Sequence, residues 1–175
     1  MKFLFKSLIF FLLFIVSLIL FFPKNQIFYL LEEKLQTKDI IVSDEIRNSK
    51  FFSYEIKGAN IYFQNLLTAN VKDINITSFI LFSKIEAKQI LISKSFEQFL
   101  PNKIDEISLT YSISDFKNIL INAKGEFGTF SGNIDVVSNV LKGELEASSL
   151  MKSKYRNLLT QFKLENGKYK YEQKL

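Results

Sequence analysis

Adjacent carboxylates at Glu32-Glu33, Asp44-Glu45 and Asp105-Glu106 are the residue types that two-carboxylate hydrolysis needs, one acting as acid and the other as base or nucleophile across a cleft. Neighbours on a strand point to opposite faces, so none of these pairs is a dyad by itself, and solvated loop charge accounts for them. Ser93, Ser95, Ser148, Ser149 and Ser153 supply hydroxyls. Ser149 with Lys152 has the composition of a Ser–Lys nucleophile pair, and a helix cap explains the same residues with fewer assumptions. Gly125, Gly128 and Gly132 match neither G-x-G-x-x-G nor a phosphate loop; in a strand region such glycines mark bulges or turns. Lys152, Lys154 and Arg156 form a small basic set that either touches anionic headgroups or is a solvated helix face. The chain has no Cys and no His. A disulfide framework, a thiolate metal site, a Cys nucleophile and an imidazole base or ligand are thereby excluded. No catalytic, metal or cofactor-binding constellation emerges, and the chain is read as non-enzymatic.

The elements that position these groups begin with an uncharged run, Ser7 to Phe22. With Phe3, Leu4 and Phe5 added across Lys6, it reaches about the twenty residues that a helix needs to cross roughly 30 Å of hydrocarbon. Ser7, Phe11, Phe14, Leu18 and Phe22 sample this expected transmembrane anchor, residues 1–23. A cleaved signal peptide has a shorter apolar core and an A-x-A-like site, whereas this chain has no Ala before Ala59. The uncleaved anchor is therefore favoured. Lys2 and Lys6 place the N-terminus in the cytoplasm. The expected location is a bacterial inner membrane, crossed once, with the remainder in the periplasm. The net charge of +5 is +2 on the first six residues and +3 beyond them (21 Lys and Arg against 18 Asp and Glu). So mild a balance lacks the concentrated basic face of a nucleic-acid binder.

Residues 24–38 read as an amphipathic juxtamembrane helix, with Ile27, Leu30, Leu31 and Leu35 at helical spacing and Asn25 as its cap. It either lies on the bilayer with Phe28 and Tyr29 at headgroup depth or caps the following domain, and the two are compatible. From Asp39 the period becomes two. Ile40 to Val42, Phe52-Tyr54-Ile56, Ala59-Ile61-Phe63, Val71 to Phe79, Phe79 to Phe82, Ile85 to Ala87, Ile107 to Ile113, Asn118 to Ala123, Gly125 to Val137, Leu141 to Ala147 and Lys168 to Glu172 are strand candidates. They make about nine or ten strands, with Gly58, Asn65, Asn102 and Gly125 as turns. The spacing predicts a mainly β domain over 39–175, an antiparallel sheet, sandwich or curled half-barrel. A helical turn at Lys94 to Leu100 stops at Pro101. A C-terminal helix capped by Ser148 or Ser149 runs to Phe162, with Leu150, Met151, Tyr155, Leu158, Leu159 and Phe162 on one face.

The aromatic load is high, with nineteen Phe and seven Tyr. Seven Phe fall in residues 1–22. The rest form either an apolar groove for a lipid chain or a Phe-rich core.

One span ending in Phe21-Phe22-Pro23, the short helix Ile27 to Leu35, the run of short strands, Leu141-x-Gly143-x-Leu145, Ser149-Leu-Met-Lys152 and Gly167-Lys-Tyr169-Lys-Tyr171 together resemble the type II secretion system protein N group. That resemblance implies a periplasm-facing inner-membrane accessory of a secretion apparatus, with no catalytic residues to transfer. The pattern is also similar to AsmA-like envelope proteins, whose β-grooves are linked with lipid movement, and to the bitopic lipopolysaccharide-export protein. The expected partners are the lipid bilayer and other envelope or secretion proteins recruited at sheet edges. A lipid or lipopolysaccharide held in a β-groove is the alternative function, and an envelope hydrolase the third.

Overall fold

The computed structural model describes residues 7, 9–11, 13, 14, 17, 24–43, 45–50, 53–79 and 81–175. Of the expected anchor, Ser7, Phe11 and Phe14 are helical and exposed, and Leu18 and Phe22 lie outside the described residues. Among the described residues no helix is long and apolar enough to cross a membrane.

Helix α1 (Lys24–Gln36) falls within the helix expected over 24–38, with Asn25, its expected cap, inside it. Leu30, placed on its apolar face by spacing, is instead 56% exposed. Eleven strands follow: β1 (Ile40–Ser43), β2 (Ile46–Ser49), β3 (Ser53–Phe63), β4 (Leu66–Phe79), β5 (Phe82–Ile92), β6 (Lys103–Ser112), β7 (Asn118–Gly125), β8 (Gly128–Asp135), β9 (Val140–Ala147), β10 (Lys163–Glu165) and β11 (Lys168–Lys174). They form one open antiparallel sheet in the order β1-β3-β4-β5-β6-β7-β8-β9-β11-β10, with β2 also on β3. No second sheet packs on it among the described residues, so the sandwich expectation gives way to a single layer. Phe79 to Phe82, expected as a strand, is the β4–β5 hairpin. The short β10 was not anticipated, because three residues carry too little periodicity to register.

Gly58 does not turn the chain. β3 continues through it with φ of +69°. Four neighbouring strands share this break. The ladders step from Lys57/Asp73 to Ala59/Val71, from Asp73/Lys88 to Val71/Ile90, from Lys88/Glu106 to Ile90/Ile104, and from Glu106/Lys124 to Ile104/Gly125. Gly58, Lys72, Gln89 and Asp105 fall between the steps, and Gln89 is also left-handed, with φ of +53°. On each strand the apolar alternation changes parity across this line: Ile56 to Ala59, Ile74 to Val71, Ala87 to Ile90, Ile107 to Ile104. A left-handed residue or a bulge rotates the strand, so both parities enter one core. Ala59 clusters with Tyr54, Ile56 and Ile76. Ile74, Ala87 and Ile107 pack against Val71 and Ile90.

After β9 the Ser148 hydroxyl accepts from the Met151 amide at 3.1 Å and donates to the Glu126 carbonyl. This caps α2 (Ser149–Lys154), which breaks at Tyr155 into α3 (Arg156–Leu159) where one helix was expected. Met151, Tyr155 and Leu159 are buried on Leu145, whereas Leu150 is 39% exposed.

Candidate functional site

The register sorts the side chains above the Gly58–Asp105 line into two unlike faces. One face carries the row Tyr54, Ile76, Ile85, Leu109, Ile121, Gly132, Gly143, Tyr171. Beside it run Ile56, Ile74, Ala87, Ile107, Ala123, Phe130, Leu145 and Tyr169 on one side, and Tyr111, Ile119, Ile134 and Leu141 on the other. The opposite face is polar, its central row reading Asn75, Glu86, Ser108, Asn122, Ser131, Glu144, Lys170.

The apolar face is covered at its two ends. On one side α1 packs against β1 and β3, and Tyr54, Ile56 and Ile76 are 4, 1 and 4% exposed. Arg47 of β2 joins these elements: it pairs with Glu45, stands 3.7 Å from Glu32 of α1, and places its guanidinium 5.8 Å from the Tyr29 ring centre. Its pKa is raised, first by the Glu45 hydrogen bond. The phenol of Tyr54 is also pushed up, by burial. On the other side α2 and α3 lie over Leu145, Phe130 and Tyr169. Gly143 makes room there, since a Cβ on it would stand 2.2 Å from the Phe130 ring. The Tyr155 hydroxyl donates to the Glu97 carbonyl at 3.0 Å, fastening these helices to the β5–β6 connection.

Between the two covers the same face is partly open. Ile85, Leu109, Tyr111, Ile119, Ile121, Ile134 and Leu141 are all half-buried, and no residue of β6, β7 or β8 is fully buried. Strands lie about 4.8 Å apart, so the uncovered β5–β7 region is roughly 10–15 Å wide. Such a strip matches an acyl chain or an apolar segment lying across the strands.

A hollow of about 730 Å³ on the polar face is lined by Lys142, Glu144, Lys163, Glu165, Lys170 and Glu172 among others. A neighbouring hollow of about 360 Å³ includes Glu106, Glu146 and Lys168. Their charges are matched: Lys142 to Glu172 at 3.1 Å, Lys168 to Glu146 at 2.9 Å, Lys170 to Glu165 at 2.9 Å. Hydrogen bonds from Lys168 and Lys170 lower the pKa of Glu146 and Glu165, and the same bonds raise the two lysines. A general acid needs a carboxyl raised towards neutrality. These are held ionised, the reverse of that requirement.

The sequence candidates are dispersed. Glu32 and Glu45 converge on Arg47, and Asp44 lies outside the described residues. Asp105, at the bulge, pairs with Lys103 at 3.0 Å, while Glu106 belongs to the polar face. Ser148 is the helix cap, and Ser149 and Lys152 are exposed. Lys154 and Arg156 are also exposed, Lys154 lying 5.1 Å from the Tyr155 ring centre. Among the described residues no group of three acidic side chains could hold a metal ion. The Arg47 cluster was missed, because nothing in the spacing of Tyr29, Glu32, Glu45 and Arg47 announces their meeting. The chain matches no protein-family model, no curated protein and no solved structure.

Proposed function

We propose that this protein is a non-enzymatic, membrane-anchored module of the bacterial envelope that holds a lipid chain against the uncovered part of its apolar sheet face. Residues 1–23 are its inner-membrane span, with the N-terminus cytoplasmic and the sheet periplasmic. The carrying observation is the half-buried strip of Ile85, Leu109, Tyr111, Ile119 and Ile121 lying between two covered ends of one sheet. An apolar surface left open in this way marks a binding site, and its match is an extended apolar ligand. Native mass spectrometry on the full chain released from detergent micelles tests the reading. The expected result is a phospholipid or lipopolysaccharide adduct that is lost in Leu109→Asn and Ile121→Asn and kept in Leu120→Asn, whose side chain is on the polar face. No adduct, or equal adducts in all three variants, would refute it.

A second reading is an accessory of a type II secretion-like system that recruits a partner strand. It is favoured by β10, which ends the strand order with all three residues exposed.

A further inference from the structure

Three successive turns at one end of the sheet carry large apolar side chains into solvent. Leu81 in the β4–β5 turn is 58% exposed, Ile113 and Phe116 after β6 are 54 and 56%, and Val137 between β8 and β9 is 70%. Backbone hydrogen bonds tie these tips into a rim: the Ile113 amide donates to the Leu81 carbonyl at 2.9 Å, and the Val136 amide to the Lys117 carbonyl at 2.8 Å. The tips are also rigid in themselves. Asp135 accepts from the amides of Val137 and Ser138, both at 2.9 Å, and Asn118 donates to Asp115 at 2.8 Å. The two acids of the rim are thereby committed to turn geometry. Lys117 stands 5.9 Å from the Phe116 ring centre, an apolar residue flanked by a cation.

The opposite end also exposes apolar groups, Leu66 at 62% and Phe99 at 64%, so exposure alone does not distinguish the ends. The direction of α1 does. Its C-terminal end leads to Asp39, whose carbonyl accepts from Gln64 in the β3–β4 turn at 2.9 Å. Further back along α1, Glu32 and Tyr29 reach Arg47, which pairs with Ile56 nearer the Leu81 end. α1 therefore runs from its N-terminus, on the Leu81 side, towards the Gln64 end.

We infer that the Leu81–Phe116–Val137 rim lies on the bilayer surface, with its tips among the lipid headgroups and upper acyl chains and Lys117 at the phosphate level. The inference rests on the reading of residues 1–23 as a membrane anchor. A tether of no more than α1 keeps this end close to the bilayer, and amphipathic tips with a flanking cation suit that interface. Docking there would face the partly open strip of β5–β7 directly towards the membrane from which its ligand comes.

The absence of cysteine makes the test direct. The full chain is reconstituted in vesicles of phosphatidylethanolamine and phosphatidylglycerol, with single substitutions Phe116→Cys, Val137→Cys, Leu66→Cys or Phe14→Cys carrying a fluorophore. Quenching by nitroxide-bearing lipids is then compared with quenching by aqueous iodide. The expected result is lipid quenching at positions 14, 116 and 137, at least three-fold above that at 66, which iodide reaches freely. Lipid quenching at 14 alone would overturn the docking and leave the anchor standing. Aqueous quenching at all four would overturn both. Lipid quenching at 116 and 137 without 14 would keep the docking and remove the span.

Discussion

One end of the apolar face and its middle are built from the same alternating pattern and have different fates. At β9, beneath α2 and α3, Leu145 is 3% exposed and packs with the buried Met151, Tyr155 and Leu159, with Phe130 and Tyr169 half-buried around them. On β6 and β7, Leu109, Ile119 and Ile121 lie in the neighbouring rows of the same face and are half-buried. Burial of a large apolar side chain stabilises by about 1.5–3 kcal/mol, so the first region holds the fold together and the second forgoes part of that stabilisation.

Substitutions that separate the two regions follow, starting with the largest effect. Tyr155→Ala removes the centre of the sealed end together with its hydrogen bond to Glu97, and is expected to cost about 3–5 kcal/mol, read as a lowered urea midpoint by circular dichroism. Gly143→Ala drives a methyl group into the Phe130 ring and should cost about 1–3 kcal/mol through overpacking; Gly143→Ala combined with Phe130→Leu should recover much of it. Ser148→Ala loses the α2 cap, worth about 1 kcal/mol. Leu109→Asn in the open strip should cost only about 1 kcal/mol or less, while abolishing lipid retention. A loss there as large as that of Tyr155→Ala would erase the distinction between the regions.

The pH dependence of the polar face is the smallest effect. Glu146 and Glu165 have folded pKa values below their unfolded ones. Their contribution is complete above the ordinary Glu value of about 4.3 and fades as pH falls through the lowered folded values. Lys168 and Lys170 are raised, so theirs is complete below about 10.4 and fades as pH rises through the raised values. These side chains are about half open to solvent, so 0.5 M salt should screen the effect, giving urea midpoints that vary less between pH 3 and 7 than at low salt.

The alternation that made the strands legible is local, and Ile107-Ser-Leu-Thr-Tyr111 and Leu141 to Ala147 are where the sequence places them. The Asn65 and Asn166-Gly167 turns were legible too, because left-handed residues announce themselves by type. The Gly58 line was misread as a turn. Its signal is apolar residues three apart at Ile56/Ala59, Val71/Ile74, Ala87/Ile90 and Ile104/Ile107, and it becomes visible only once the four strands are aligned. The partly open strip was not legible at all. Half-buried and fully buried alternation look alike in sequence, and only the placement of α1, α2 and α3 decides between them.

The most direct test of the open strip compares one strand's two faces. A photo-crosslinking amino acid is introduced at Ile121 or at Leu120, its neighbour on the polar face and itself 46% exposed, in the full chain reconstituted with phosphatidylethanolamine and phosphatidylglycerol. Lipid adducts detected by mass spectrometry at 121 and absent at 120 are the predicted result. Equal labelling at both positions, or none at either, would contradict a lipid-holding face.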